Sequence, residues 1–142
     1  MGTTSFTNVK IIKADGTIGA TNKATGSLTT TDSYYSFGGA ADLWGEAWES
    51  TDINDVDFGI VVSFTGTGYP DGNFATHYLK ATNFSFSIPA GATINGILAE
   101  IEASIGPGIA GVTLARVDHI RITIDYTEAA GGDIAKKQAL IL

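Results

Sequence analysis

The sequence predicts an all-β chain, an antiparallel β-sandwich or jelly roll with at most one or two short helical turns. Three observations predict it. Apolar side chains recur at every second residue over 58–64, 97–103 and 120–126, the spacing that lines one face of a strand. Gly and Pro turn signals separate these runs, and 18 glycines in 142 residues supply them. No segment holds a 3.6-residue apolar period long enough for a substantial helix, so stacked sheets are the way to bury the apolar faces.

In chain order, "TNVKIIK" (Thr7 to Lys13) reads as a strand closed by the turn signal "ADG". The Thr-rich stretch from Thr17 to Ser33 predicts one or two short strands, and Ser33 to Phe37 a further one ended by Gly38 and Gly39. In "DLWGEAW", Trp44 and Trp48 are spaced for one helical turn or one face of an extended segment. Ser50 or Thr51 offers an N-cap for a single turn through about Asn54. Phe58, Ile60, Val62 and Phe64 then share one strand face, with Asp57, Gly59, Val61 and Ser63 on the other. "TGTGYPDGN" (65–73) is turn chemistry, and "THYLKA" offers a short strand.

Phe84, Phe86 and Ile88 predict a strand broken by "PAGA", after which Ile97, Ala99, Ile101 and Ala103 alternate with Leu98, Glu100 and Glu102. "SIGPGIAGVTLA" (104–115) reads as a loop. In the next strand Ile120, Ile122, Ile124 and Tyr126 face a core, while His119, Arg121, Thr123 and Asp125 face out. Residues 1–130 thus form a single sandwich domain. Gly131 and Gly132 set apart a tail, 131–142, whose apolar end is expected to act as an inter-subunit arm through Ile134, Leu140, Ile141 and Leu142.

Charge narrows the function classes. The net charge is −7, and no Lys or Arg falls between Lys23 and Lys80, where Asp32, Asp42, Glu46, Glu49, Asp52, Asp55, Asp57 and Asp71 all lie. Such a stretch repels a phosphate backbone, so no nucleic-acid partner is expected. With no cysteine, disulfides and thiolate metal sites are excluded. The opening "MGTTSFTNVK" lacks the charged start and apolar run of a secretory signal, and no apolar run reaches bilayer-spanning length, so no membrane insertion is expected.

The residue types of catalysis are sparse. His77 and His119 are the two histidines, and Asp118 beside His119 on a strand points to the opposite face, a poor orienter-and-base couple. Asp52, Asp55 and Asp57 supply hard oxygens for a weak Ca²⁺ site, although the spacing is not that of an EF-hand and helix capping explains Asp52. Glu100 and Glu102 share a strand face, as a glycosidase pair or as ordinary exposed carboxylates. No Gly-rich phosphate loop opens a helix. No cofactor, metal or catalytic residue is expected, and the chain is expected not to be an enzyme. Tyr34, Tyr35, Trp44 and Trp48 offer a sugar-stacking platform, against the alternative that the Trp pair fills the core.

Several blocks resemble a β-sandwich domain of bacteriophage virion and tail-associated structural proteins. They are "NVKIIKADGTIGATNKATG", "YYSFGGAADLWGEAW", "DINDVDFGIVVS", "ATNFSFSIPAGATINGILAEIEA" and "RVDHIRITIDYT". The order departs from the family pattern, in which the "FSIPAGATINGI" hairpin precedes the Lys-rich strand and the Trp block. Such reordering is tolerated when the new ends lie close in space. The resemblance implies a non-enzymatic capsid decoration, tail or fibre component located in the virion. Its partners would be copies of itself and capsid or tail proteins. The alternative is a lectin-like module that recognises a host-surface glycan.

Overall fold

The computed structural model describes residues 2–68, 72–107, 113–129 and 134–141. Two antiparallel four-stranded sheets pack face to face, as the alternation predicts. In chain order the elements are β1 (Thr3–Ile12), β2 (Ser33–Gly39), α1 (Ser50–Asn54), β3 (Gly59–Thr67), β4 (Phe74–Ala75), β5 (Leu79–Thr82), β6 (Thr93–Pro107), β7 (Thr113–Thr127) and β8 (Ile134–Ile141). The first sheet runs β1-β3, with β4 and β5 following one another along the far side of β3. The second runs β2-β6-β7-β8.

The core forms where the inward rows meet. Ile97, Ala99, Ile101 and Ala103 of β6 and Ile120, Ile122, Ile124 and Tyr126 of β7 pack in one cluster with Phe58 and with Ile60, Val62 and Phe64 of β3. A branched aliphatic side chain gains roughly 1.5–3 kcal/mol on full burial, so these rows dominate the driving force. Phe6 and Phe37 meet edge-to-face across the two sheets, with ring centroids 5.1 Å apart.

Trp44 closes one end of the core. Its ring is buried and its Nε1–H donates to the Ile97 carbonyl at 2.9 Å, which settles the indole as filler rather than exposed platform. The backbone there turns left-handed, with φ of 57° at Trp44, held by the Trp44 N–H on the Asp42 carboxylate. Lys23 Nζ lies 2.6 Å from that carboxylate and holds its pKa below the usual range, chiefly by hydrogen bonding. Gly38 makes room: a Cβ there would lie 2.6 Å from Trp44 Nε1.

The structure departs from the sequence reading in several places. No strand forms over 17–32. That segment instead lines the outer edge of β1 with single bridges, Ser5↔Ser27 and Ile12↔Ile18. The Asn22 amide serves the same edge, accepting from Val9 N–H and donating to the Thr7 carbonyl. The N-cap of α1 is Glu49, not Ser50 or Thr51, and its N–H donates to the Asp52 carboxylate.

Phe84, Phe86 and Ile88 are buried as their spacing predicts, yet they form no strand. Asn83 and Ser85 adopt positive φ, near 60°, which breaks the extended backbone a ladder needs. The Asn54 side chain holds this stretch instead, accepting from Ile88 N–H and donating to its carbonyl.

Both faces of β3 are buried. Val61 is buried and lies between Lys10 of β1 and Lys80 of β5 in register. The expected loop at 104–115 is partly ladder: β6 and β7 stay paired from Thr93↔Thr127 to Pro107↔Thr113. The Arg116 guanidinium lies over Gly106 in this extension, where a Cβ would come within 2.6 Å of its Nε.

Residues 134–141 are not set apart from the body but form β8, the edge strand of the second sheet, paired with β7 of the same chain. On β7, Thr123 and Asp125 are buried rather than outward-exposed, and Lys136 of β8 reaches Asp125 at 3.2 Å. The second sheet therefore includes residues 134–141.

Replacing Asn54 by Ala removes both bonds to Ile88 and leaves its amide and carbonyl without these partners. A loss of about 2 kcal/mol is expected in denaturant unfolding, with an unchanged m-value. A loss within error would show that burial of Phe84 and Phe86 alone fixes the segment.

Candidate interaction surfaces

The sequence-predicted contact residues fall at different places. Ile134 opens β8 and is 77% exposed. The backbones of Leu140 and Ile141 pair with Arg121 and Ile120 in the ladder. Leu142 lies outside the described residues. Among the described residues, the outer side of β8 carries no further strand, so its N–H and C=O groups face outward as an edge.

β8 covers only part of its neighbour. Its pairing spans Ile120 to Thr127, so the stretch of β7 from Ala115 to His119 carries no strand on that side among the described residues. Beside it lies a slot of about 200 Å3 between the second-sheet edge and β5, lined by Leu79, Ala81, Val117 and Ile120 among others. Leu79 is 44% exposed at its mouth.

The outer face of the second sheet is a polar lattice built by strand register. Glu100 stands opposite Arg121 and Glu102 opposite His119. Arg121 donates to both Glu100 oxygens at 3.0 Å, and Glu100 raises the guanidinium pKa further. The same guanidinium sits 4.9 Å from the ring centroid of Tyr34 on β2. His119 Nδ1 and Glu102 Oε2 form a close pair. Each carboxylate of the "EIE" pair thus has its own cross-strand partner.

At one end of this lattice two acids meet. The Asp32 and Asp118 carboxyl groups hydrogen-bond each other, and Asp32 also bonds Ser104. The Asp32 contact, then burial and the nearby negative charges of Asp32 and Glu102, push Asp118 above the usual carboxylate range. The bonds from Ser104 and Asp118 hold Asp32 below it. Asp32 belongs to the acidic run of the sequence, but nothing there pairs it with Asp118. A register shift between Glu102 and Ala103 inserts Asp118 as an extra residue, and the sequence carries no local signal of it.

The four aromatics singled out by sequence do not share a surface. Tyr34 is 43% exposed on the outer face, whereas Tyr35 packs on the core and donates to the Ser27 carbonyl. Trp44 is buried, and the Trp48 ring meets Phe58 edge-to-face while its Nε1–H donates to the Leu43 carbonyl. Asp55 caps its own turn through Asp57 N–H, and no cluster of three or more His or acidic side chains suited to a metal occurs among the described residues. No described helix is long and apolar enough to cross a membrane.

No family model, curated protein or solved structure matches the chain.

The acid pair gives a pH-dependent expectation. Asp118 has a raised folded-state pKa, so its contribution is full below the ordinary carboxylate pKa and is lost as pH rises through the raised value. Asp118→Asn keeps a donor for Asp32 and deletes the charge. The variant should melt higher than the parent at neutral pH, and the difference should vanish below about pH 4. An equal gain at every pH, or none at neutrality, would contradict the shared-proton arrangement.

Proposed function

We propose that this chain is a non-enzymatic structural module of a bacteriophage particle, a capsid decoration, tail or fibre component. It works by burying sheet edges against copies of itself and against capsid or tail proteins. The observation that carries the reading is the open side of the second sheet. There the edge of β8, the uncovered stretch of β7 and the exposed Ile134 and Leu79 lie on the same side of the sandwich. An added strand would find hydrogen-bonding groups at the edge and apolar contacts beside it. A closed, symmetric assembly would bury the same patch on every subunit.

The resemblance of the five sequence blocks to phage structural domains supports the particle setting. The acidic bias of the chain fits a surface that meets protein rather than packaged nucleic acid. The lectin-like alternative loses the support of Trp44, which is core, and of Tyr35 and Trp48, which are engaged in packing.

Ile134→Lys tests the edge. The side chain is mostly exposed, so the monomer should keep its unfolding free energy within about 0.5 kcal/mol of the parent. The parent should sediment as a concentration-dependent oligomer, and the variant should shift towards monomer. A parent that stays monomeric at all concentrations, or a variant with unaltered association, would contradict self-assembly through this edge.

A further inference from the structure

The outer face of the first sheet carries an irregularity that the structural role does not use. β3 is flanked on both sides by one-residue bulges at the same height. On the β1 side, Phe6 pairs with Phe64 and Asn8 with Ser63, so Thr7 is the extra residue. On the other side, β3 advances three steps from Val62 to Thr65 while its partners go back four, from Leu79 to Ala75. Thr76 keeps the ladder closed here, its N–H donating to the Phe64 carbonyl and its Oγ1 accepting from Phe64 N–H. His77 and Tyr78 are then pushed outward. Bulges redirect side chains in this way and concentrate beside binding sites.

Between the two bulges lies a cleft of about 330 Å3, near the lower end of the roughly 300–1,000 Å3 range of small-ligand sites. Its chemistry is unusual for this chain. Asp, Glu, Lys and Arg supply 16% of the residues, yet none lines the cleft. The floor is polar and fixed: Asn8 Nδ2 donates to Ser63 Oγ at 2.8 Å, and the Thr7 and Thr65 hydroxyls bond each other. Asn22 Nδ2 approaches Asn8 Oδ1 from the side and holds the amide orientation. At the rim stands Tyr78, 46% exposed, beside the exposed His77.

We propose that this twin-bulge cleft binds a neutral saccharide unit. The Tyr78 ring offers an apolar face for the C–H side of a pyranose. The Asn8 amide and the Ser and Thr hydroxyls, which both donate and accept, match sugar hydroxyls. The lack of a cationic side chain disfavours phosphate or sulfate ligands, and the lack of a carboxylate disfavours amines. The site lies on the sheet opposite Tyr34 and does not depend on self-assembly. A monomeric chain that bound sugar would overturn the assembly reading alone.

The test titrates the full chain with glucose, galactose, mannose, rhamnose, N-acetylglucosamine and their oligomers, followed by backbone amide NMR. At least one should shift amides of Asn8, Ser63 to Thr65 and Thr76 to Tyr78. Tyr78→Ala should then weaken binding by about tenfold, the upper end expected for an aromatic face. Tyr78→Phe should retain binding, and Tyr34→Ala and Ile134→Lys should leave it unchanged. The proposal is overturned if no sugar in the panel moves those amides, if the shifts cluster elsewhere, or if Tyr78→Ala binds as the parent does.

Discussion

The molecule depends on one constraint: the inward rows of β6 and β7 must lie against the inward row of β3. β6 and β7 are each fifteen residues long. Their alternation commits Ile97, Ala99, Ile101 and Ala103, with Ile120, Ile122 and Ile124, to one face. A one-residue slip in either strand would send that row to solvent, so the register is fixed by burial as well as by hydrogen bonds. β2 and β8 attach to the two sides of this hairpin, and β1, β4 and β5 attach to the two sides of β3. The first sheet then covers the second.

Around that regular centre the chain is irregular, and the irregularities carry the features of interest. The Glu102/Ala103 register shift brings Asp118 towards Asp32. The paired bulges beside Ser63 open a cleft in an otherwise continuous sheet. The left-handed turn at Trp44 lets one indole both fill the core end and bond the Ile97 carbonyl of β6. The 17–32 segment lines the β1 edge, while the β8 side stays open among the described residues. Edges left uncovered invite pairing with another chain, so this asymmetry has a direct bearing on assembly.

The sequence displays the sandwich clearly because period-two alternation is a local property. It shows β2, β3, β6 and β7, the single turn of α1, and the buried side of Phe84, Phe86 and Ile88. It does not show whether that last stretch is a strand, since the positive φ at Asn83 and Ser85 and the Asn54 bond to Ile88 carry no signal in the alternation. Nor does "AKKQALIL" identify β8. Its residues show no period-two alternation, and its place beside β7 is seen only in the pairing of Ile120–Thr127 with Ile134–Ile141 and in the Lys136–Asp125 ion pair. The ion pairs Glu100–Arg121 and Glu102–His119 follow from strand register, which alternation alone leaves open. Bulges have the weakest signature of all, and the sequence gives no hint that Thr7 and His77 share a cleft.

Amide hydrogen exchange, measured residue by residue on the whole chain, reads the packing of these rows. The slowest exchange should fall in one cooperative block comprising β3, the 97–103 part of β6 and the 120–126 part of β7. β8 should be slower at its β7-facing amides than at its outer ones, and the 17–32 segment should exchange faster than β1. Uniformly fast exchange across β6 and β7, or a slowest block that excludes β3, would mean that the two inward rows do not hold the sandwich together.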